Sequence, residues 1–329
     1  VTDRVQVKNV SKRFSRKSGL IERGAEALHL KTPNPVVHAL DDVSLTVSTG
    51  EVVGIVGESG CGKSTLGRVI AGLLEPTEGE VSLQGKPIAE HSAREIAAAR
   101  LKVQMIFQDP TSSLNPRQRL KDIIGVAPLY HGMTNRRSMG DYVAEQMRRA
   151  GLDPALADRL PHQLSGGQRQ RVGIARALAV QPDVLICDES VAALDVSIQA
   201  QIINLFLDLK EDLGLTYIFI SHDLSVVEHI SDRVVVMYLG RVVEEAPVEE
   251  LFASPAHPYT QALLAERPDL DAERKDYATI SGEIPSPLAP PPGCHFHPRC
   301  PFTMDRCRVE RPALRQLSAG HHSACHLNA

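Results

Sequence analysis

At 329 residues, with 43% hydrophobic and 23% charged side chains, the chain has the composition of a soluble globular protein with room for two domains, or one large and one small. A net charge of -4 and a pI near 6.4 leave no basic surplus for gripping a phosphate backbone, which argues against nucleic acid as the partner. No apolar run approaches the roughly 18 residues that span a bilayer, and the first ten residues lack the apolar core of a signal peptide. The expected compartment is therefore the cytosol, where six cysteines point away from disulfides.

Apolar and polar residues alternate over 4–10 and 43–47, which predicts half-buried antiparallel strands beside a central parallel sheet. The polar, basic stretch 15–37 reads as a surface loop. Phe14, just after the first strand, is equally suited to stacking on a flat ring or to filling a core. The stretch 51–65, EVVGIVGESGCGKST, is the centre of the chain: an apolar strand ending at Gly57, a glycine-rich loop, and a helix start. Gly57, Glu58, Ser59, Gly60, Cys61, Gly62, Lys63, Ser64 and Thr65 would form a nest of inward N–H groups for the β and γ phosphates of a nucleotide. Lys63 supplies a point charge, and the Ser64 hydroxyl is placed to ligate Mg2+. An ordinary glycine-rich turn leaves Lys63 and Ser64 unexplained.

A strand over 79–84 and a helix over 93–100 follow, then an apolar strand running into Gln108. A polar amide at the carboxyl end of a strand in an open sheet lies where ligands bind, within reach of a metal or an attacking water. From 111 to about 161 the pattern turns helical, with an amphipathic segment over 142–150 and no strand. This predicts an inserted all-helical subdomain, about 109–165, whose Arg136, Arg137, Arg148 and Arg149 form a solvated face.

Leu164, Ser165, Gly166, Gly167 and Gln168 then open a second helix. Ser165 is a natural N-cap and the two glycines leave the first-turn amides bare, so this is a second anion site about 100 residues from the first. Either both hold one nucleotide, or each completes a site on another copy. The strand 184–187 ends in Asp188, placed to hold Mg2+ through water, and Glu189, placed to polarise a water for in-line attack on the γ-phosphate. Ala193-Leu194-Asp195 reads as a tight turn. A last core strand, 215–220, delivers His222 to the same sheet edge, where its imidazole could contact the γ-phosphate.

In this order and spacing, Gly57 to Thr65, Gln108, LSGGQ at 164–168, Asp188-Glu189, Asp195 and His222 resemble the ATP-binding subunits of ABC transporters. The resemblance covers 4 to about 245 and implies an α/β P-loop NTPase of ABC type: a RecA-like mixed sheet with an antiparallel β subdomain and the helical insertion. It implies head-to-tail copies, with ATP on one closed over by Ser165, Gly166 and Gly167 of the other, and it makes Phe14 the adenine-stacking aromatic. Ser190-Val191-Ala192 departs from the usual family residues without touching the acidic pair.

The tail, 246–329, narrows the resemblance. HPYTQALLA at 257–265 and GEIPSPLAPPPGCHFHPRCP at 282–301 are similar to the C-terminal extension of the oligopeptide/dipeptide import branch, which nickel and glutathione importers share. Residues 285–329 hold eight prolines and few large apolar side chains, too little for a core of their own. Cys294, Cys300, Cys307 and Cys325 offer another staple: a [4Fe-4S] cluster, which the resemblance favours, a zinc site, or two disulfides. His295, His297, His321, His322 and His326 keep a mixed Cys/His zinc site open, while Cys61 and Cys187 read as packing residues.

The expected protein is the ATP-hydrolysing subunit of a peptide-type importer at the cytoplasmic face of the membrane. It would pair with a second ATPase and two transmembrane permease subunits, fed indirectly by an extracytoplasmic solute-binding protein. The rivals are a soluble ABC ATPase acting on DNA or ribosomes, and a redox sensor built on the cysteines. Against the first, neither a long coiled coil nor a second ATPase half is visible. Against the second, nothing resembles an electron-transfer partner site.

Overall fold

The computed structural model describes residues 3–15, 34–88, 92–192, 194–266 and 282–328. Two sheets organise them. Strands β1 (Asp3–Ser15), β2 (Val36–Ser48), β4 (Glu78–Leu83) and β5 (Lys86–Pro87) form an antiparallel sheet in the order β2-β1-β4-β5. The larger sheet has the order β11-β12-β10-β9-β3-β8-β7-β6. Its parallel part consists of β3 (Val52–Val56), β6 (Val103–Ile106), β7 (Val184–Asp188), β8 (Thr216–Ile220) and β9 (Arg233–Tyr238). Strands β10 (Arg241–Pro247), β11 (Arg315–Ser318) and β12 (His321–Ser323) extend it antiparallel along one edge.

The parallel strands β3, β7 and β8 are buried at every position, as expected for strands covered on both faces. Period-two alternation splits their side chains between two cores. Val53 and Ile55 of β3, with Ile218 and Ile220 of β8, face the antiparallel sheet and helix α1 (Lys63–Ile70). Val52 and Val56, with Tyr217 and Phe219, face the opposite layer. That layer holds α5 (Gly166–Leu178), α6 (Val196–Leu213) and α7 (Leu224–Ile230), as well as residues of the helical insertion.

The structure adds to the sequence reading, and departs from it in the length of two strands. The strand expected at 79–84 pairs with β1 and so belongs to the antiparallel sheet. Both flanking strands run 13 residues, longer than their alternating stretches, because register shifts interrupt the alternation without ending the pairing. Of the loop expected over 15–37, residues 16–33 lie outside the described residues. The helical insertion, by contrast, has the expected character. After α2 (Ala93–Lys102) and β6, helices α3 (Leu120–Tyr130) and α4 (Met139–Arg149) bury Leu120, Ile123, Ile124, Val143 and Met147 in the same core as Val172 and Ile174 of α5. Arg148 and Arg149 pair with Glu145 on the solvated side of α4.

The tail does not build a core of its own; it borrows one. Beyond α8 (Val248–Ala253) and α9 (Pro258–Ala265), Tyr259 and Phe296 are 0% and 1% exposed, and their rings pack at 5.4 Å, each also against Tyr238 of β9. Aromatic burial of this kind contributes several kcal/mol per ring, which supplies what the proline-rich segment lacks locally.

Candidate active site

The phosphate loop leaves the carboxyl end of β3, in the middle of the parallel sheet. Gly57 has φ 145° and Gly62, the N-cap of α1, has φ 110°; a Cβ at Gly57 would meet the Met237 carbonyl oxygen at 2.1 Å, and one at Gly62 the Ala39 carbonyl oxygen at 2.4 Å. Only glycine satisfies both the dihedral and the clearance. With no side-chain cap on α1, its first-turn N–H groups stay available to an anion. The buried Lys63 Nζ donates to the carbonyl oxygens of Gly57 (2.6 Å) and Glu58 (3.0 Å), folded onto the loop that it would leave for a phosphate. A cavity of about 310 Å³ opens here, lined by Phe14, Val37, Ser59, Gly60, Lys63, Ser64, Thr65, Glu189 and Pro287 among others. Gly60, at φ 80°, would point a Cβ into open space, so the nest has room for the phosphates.

The neighbouring strands deliver the remaining groups. The Ser64 hydroxyl donates to Asp188 Oδ1 at 2.7 Å across the mouth of the sheet. Burial pushes the Asp188 carboxyl up; the Ser64 hydrogen bond and the positive charges of Arg68 and Lys63 oppose that shift. A hydroxyl and a buried carboxylate oxygen in contact fit a hard divalent cation, and these two are the groups that would hold Mg2+. Glu189, next in sequence, has φ 47° and donates its N–H to the Ile220 carbonyl. This left-handed turn at the strand end aims its side chain differently from that of Asp188. Gln108 Nε2 donates to Glu189 Oε2 at 2.6 Å, and His222 Nδ1 lies 3.6 Å from the same oxygen. Gln108, Glu189 and His222 thus converge from the ends of β6, β7 and β8, the carboxyl edge where open α/β sheets bind ligands. Phe14 is 40% exposed and lines the cavity, with Lys12 Nζ 5.2 Å above its ring.

The second glycine-rich turn has a different character. Ser165 and Gly166 are exposed, Leu164 is buried beneath them, and Ser165 and Gln168 form a reciprocal capping box: Gln168 N–H donates to Ser165 Oγ and Ser165 N–H to Gln168 Oε1. A Cβ at Gly167 would meet Ile198 Cγ2 at 2.6 Å, so the turn rests on α6, whose N-cap is the exposed Asp195. Ala193, of the expected tight turn, lies outside the described residues.

Cys61 and Cys187 are buried, as expected of packing residues. All six cysteines are free thiols, which corrects the two-disulfide alternative. Burial pushes the Cys294 thiol up to about 11, and the nearness of Cys307, Cys325 and Cys300 adds to it, so the four tail thiols share one neighbourhood. Yet among the described residues no three His, Cys, Asp or Glu side chains stand in metal-holding geometry. The donor type suits a thiolate-bound group; the arrangement does not yet form its ligand set. The mixed Cys/His site is corrected by the same absence of metal-holding geometry among the described residues, and four of the five histidines are engaged elsewhere. His295 and His297 face the carbonyls of Leu239 and Cys294, His326 that of Glu310, and His321 bridges Glu244 and Glu250. His322 pairs with Glu245 only through the backbone ladder, and its buried Nδ1 has no hydrogen-bond partner among the described residues.

Residues of the tail also reach the phosphate loop, which the sequence reading missed. Tyr259 Oη accepts from the Glu58 N–H at 2.8 Å, Arg299 forms a two-pronged ion pair with the Glu58 carboxylate, and Pro287 lines the cavity. The motif HPYT was legible, but only as a tag of resemblance.

The chain matches two families: ABC transporter over residues 40–192, and Oligopeptide/dipeptide transporter, C-terminal region, over 243–307. It is 52% identical to the Probable peptide ABC transporter ATP-binding protein y4tS of Sinorhizobium fredii, over 92% of this chain and 86% of that protein. It is 47% identical to the Oligopeptide transport ATP-binding protein AppF of Bacillus subtilis, over 98% of this chain and 97% of that one. Among solved structures it is similar to the dimeric, post-hydrolysis ATP-binding cassette MJ0796 bound to ADP and Pi: TM-score 0.63 and 31% identity, over 74% of this chain and 98% of that one. CbiO1 of Clostridium perfringens, part of an ABC transporter complex, gives TM-score 0.62 at 30% identity, over 77% of this chain and 92% of that one. The chain therefore belongs to the ATP-binding subunits of ABC transporters, in their oligopeptide/dipeptide branch.

Proposed function

We propose that this ATPase energises the import of peptides of the oligopeptide or dipeptide class. The observation that carries the chemistry is the convergence on one sheet edge of the Ser64–Asp188 pair, at 2.7 Å, with Gln108, Glu189 and His222. Mg2+ held by Ser64 and Asp188, with Gln108 in reach, would neutralise charge on the β and γ phosphates. Lys63 swings from its loop carbonyls to the phosphates, and Phe14 stacks on the adenine. Glu189 polarises the attacking water as general base, while Gln108 and His222 orient its carboxylate and contact the γ-phosphate side.

The exposed signature turn serves a facing copy or a related second ATPase. Ser165, Gly166 and Gly167 of one subunit cap the nucleotide of the other, with Gln168 holding the turn and Asp195 beside it. Closure on ATP and reopening after hydrolysis would drive two permease subunits between their two faces. Among the described residues no helix is long and apolar enough to cross a membrane. The exposed Val126 and Tyr130, one turn apart on α3, support docking of the permeases on the helical insertion near Gln108. The working division is a nucleotide-binding domain to about 245 and the extension from 246, held peripherally at the cytoplasmic membrane face and supplied by a separate solute-binding protein.

A thiolate-bound group in the extension, a [4Fe-4S] cluster before zinc, is supported by the donor type and common neighbourhood of Cys294, Cys300, Cys307 and Cys325, although no three of them stand in metal-holding geometry. Iron and sulfide in matched amounts after anaerobic purification are expected; zinc without sulfide would select the alternative, and neither would remove the group. For the transport reading, the full chain captured from detergent-solubilised membranes should bring down integral membrane subunits and a second ATPase. Recovery of ribosomes or nucleic acid in their place would sink it.

A further inference from the structure

The phosphate loop is held from outside its own motif. Glu58, the first residue after Gly57, is gripped at both ends by the C-terminal extension. Its N–H donates to Tyr259 Oη at 2.8 Å, and its carboxylate accepts from Arg299 Nη1 at 2.6 Å and Nη2 at 3.0 Å. The Arg299 side chain is 5% exposed, and its guanidinium lies over the Tyr238 ring at 5.9 Å. A cation so buried needs a carboxylate partner, and the two-pronged geometry fixes the direction of that partner as well as its charge. Tyr259 is itself held by Tyr238 and Phe296, so the grip is rigid. The extension touches the same cavity again at Pro287, which lines it and whose carbonyl accepts from the His38 N–H at 2.9 Å.

We propose that the extension is a working part of the nucleotide site, with Arg299 and Tyr259 as positioning residues that hold Glu58, and so the first limb of the phosphate loop, in its binding shape. Neither residue touches the phosphates. Both fix Glu58, whose own N–H is turned to Tyr259, and so restrict the conformations open to the loop N–H groups that follow it; the loop then loses less freedom when the nucleotide binds. Pro287 closes the outer wall near Phe14. The proposal rests on loop 57–65 being the phosphate site.

The test is made on the full chain, with Mg-ATP turnover and mant-ATP binding. Arg299→Gln should raise the Kd and the KM for ATP roughly fivefold and leave kcat within about twofold, because only the ground-state shape of the loop is loosened. Arg299→Lys should recover part of the loss. Tyr259→Phe keeps the ring and removes only the hydroxyl, with an expected rise of about threefold. Glu58→Gln combined with Arg299→Gln should bind ATP no worse than the weaker single variant, since both break one interaction. Unchanged affinity in Arg299→Gln and Tyr259→Phe, or fully additive losses in the double variant, would overturn the proposal. Lys63→Ala separates the underlying assignment: if it still binds ATP normally, the phosphate site itself is misplaced. Should Arg299→Gln fail to fold, Tyr259→Phe decides alone.

Discussion

The chain carries two glycine-rich helix starts, and they are built in opposite ways. The turn at 57–65 is braced on every side: Lys63 on the Gly57 and Glu58 carbonyls, the Cys61 carbonyl by the Gly240 N–H, and Glu58 by Tyr259 and Arg299. The turn at 164–168 closes on itself through the Ser165–Gln168 capping box and shows its face to solvent. One is a finished pocket whose walls come from distant parts of its own chain. The other is a solvent-facing turn whose polar groups are spent on its own cap. Two glycine-rich helix starts are thus set in opposite surroundings.

Breaking the bracing of the first turn has the largest expected effect. Phe296→Ala should cost about 3–5 kcal/mol of stability, since the ring is 1% exposed among Tyr238, Tyr259 and His257. Chemical denaturation monitors the loss, and a cost below about 1 kcal/mol would mean that the tail does not share the core. Chemistry comes next. Glu189→Gln should cut turnover by ~10²-fold or more with ATP binding intact, and unchanged hydrolysis would remove Glu189 as the base.

The second turn should respond differently. Ser165→Ala is expected to leave ATP binding by the isolated chain unchanged, while turnover of the assembled pair falls roughly tenfold. Equal loss of both would show that the turn serves its own subunit. Loss of the cap itself should cost only about 1 kcal/mol in the thermal melt.

The smallest effect concerns the antiparallel edge strands β10 and β12. Burial disfavours a charged His321, but hydrogen bonds to Glu244 and Glu250 outweigh it and raise the imidazole above its ordinary value. Its contribution is thus fully present below the unfolded value near pH 6.5 and fades as pH rises through the higher folded value. The stability gap between the wild type and His321→Gln should accordingly narrow from pH 6 to pH 9; a gap that widens would reverse the assignment.

Much of this protein was decided by short-range pattern. The apolar run of β3 with its glycines, Lys63 and Ser64 marked a strand, a glycine-rich turn and a helix start, because these follow one another within a few residues. The strand-end positions of Gln108, Glu189 and His222 were legible for the same reason, and the parallel sheet brought them to one edge. Ser165 was readable as a cap, since a capping box spans three residues. What no local pattern carries is who stands behind whom. Tyr259 and Arg299 reach Glu58 across 201 and 241 residues, and the histidines of the tail are turned to carbonyls and carboxylates rather than to the cysteines. Periodicity and spacing report the faces of single elements. Contacts between remote elements follow from how the faces pack, and here packing joined a proline-rich tail to the core and to the glycine-rich loop after β3.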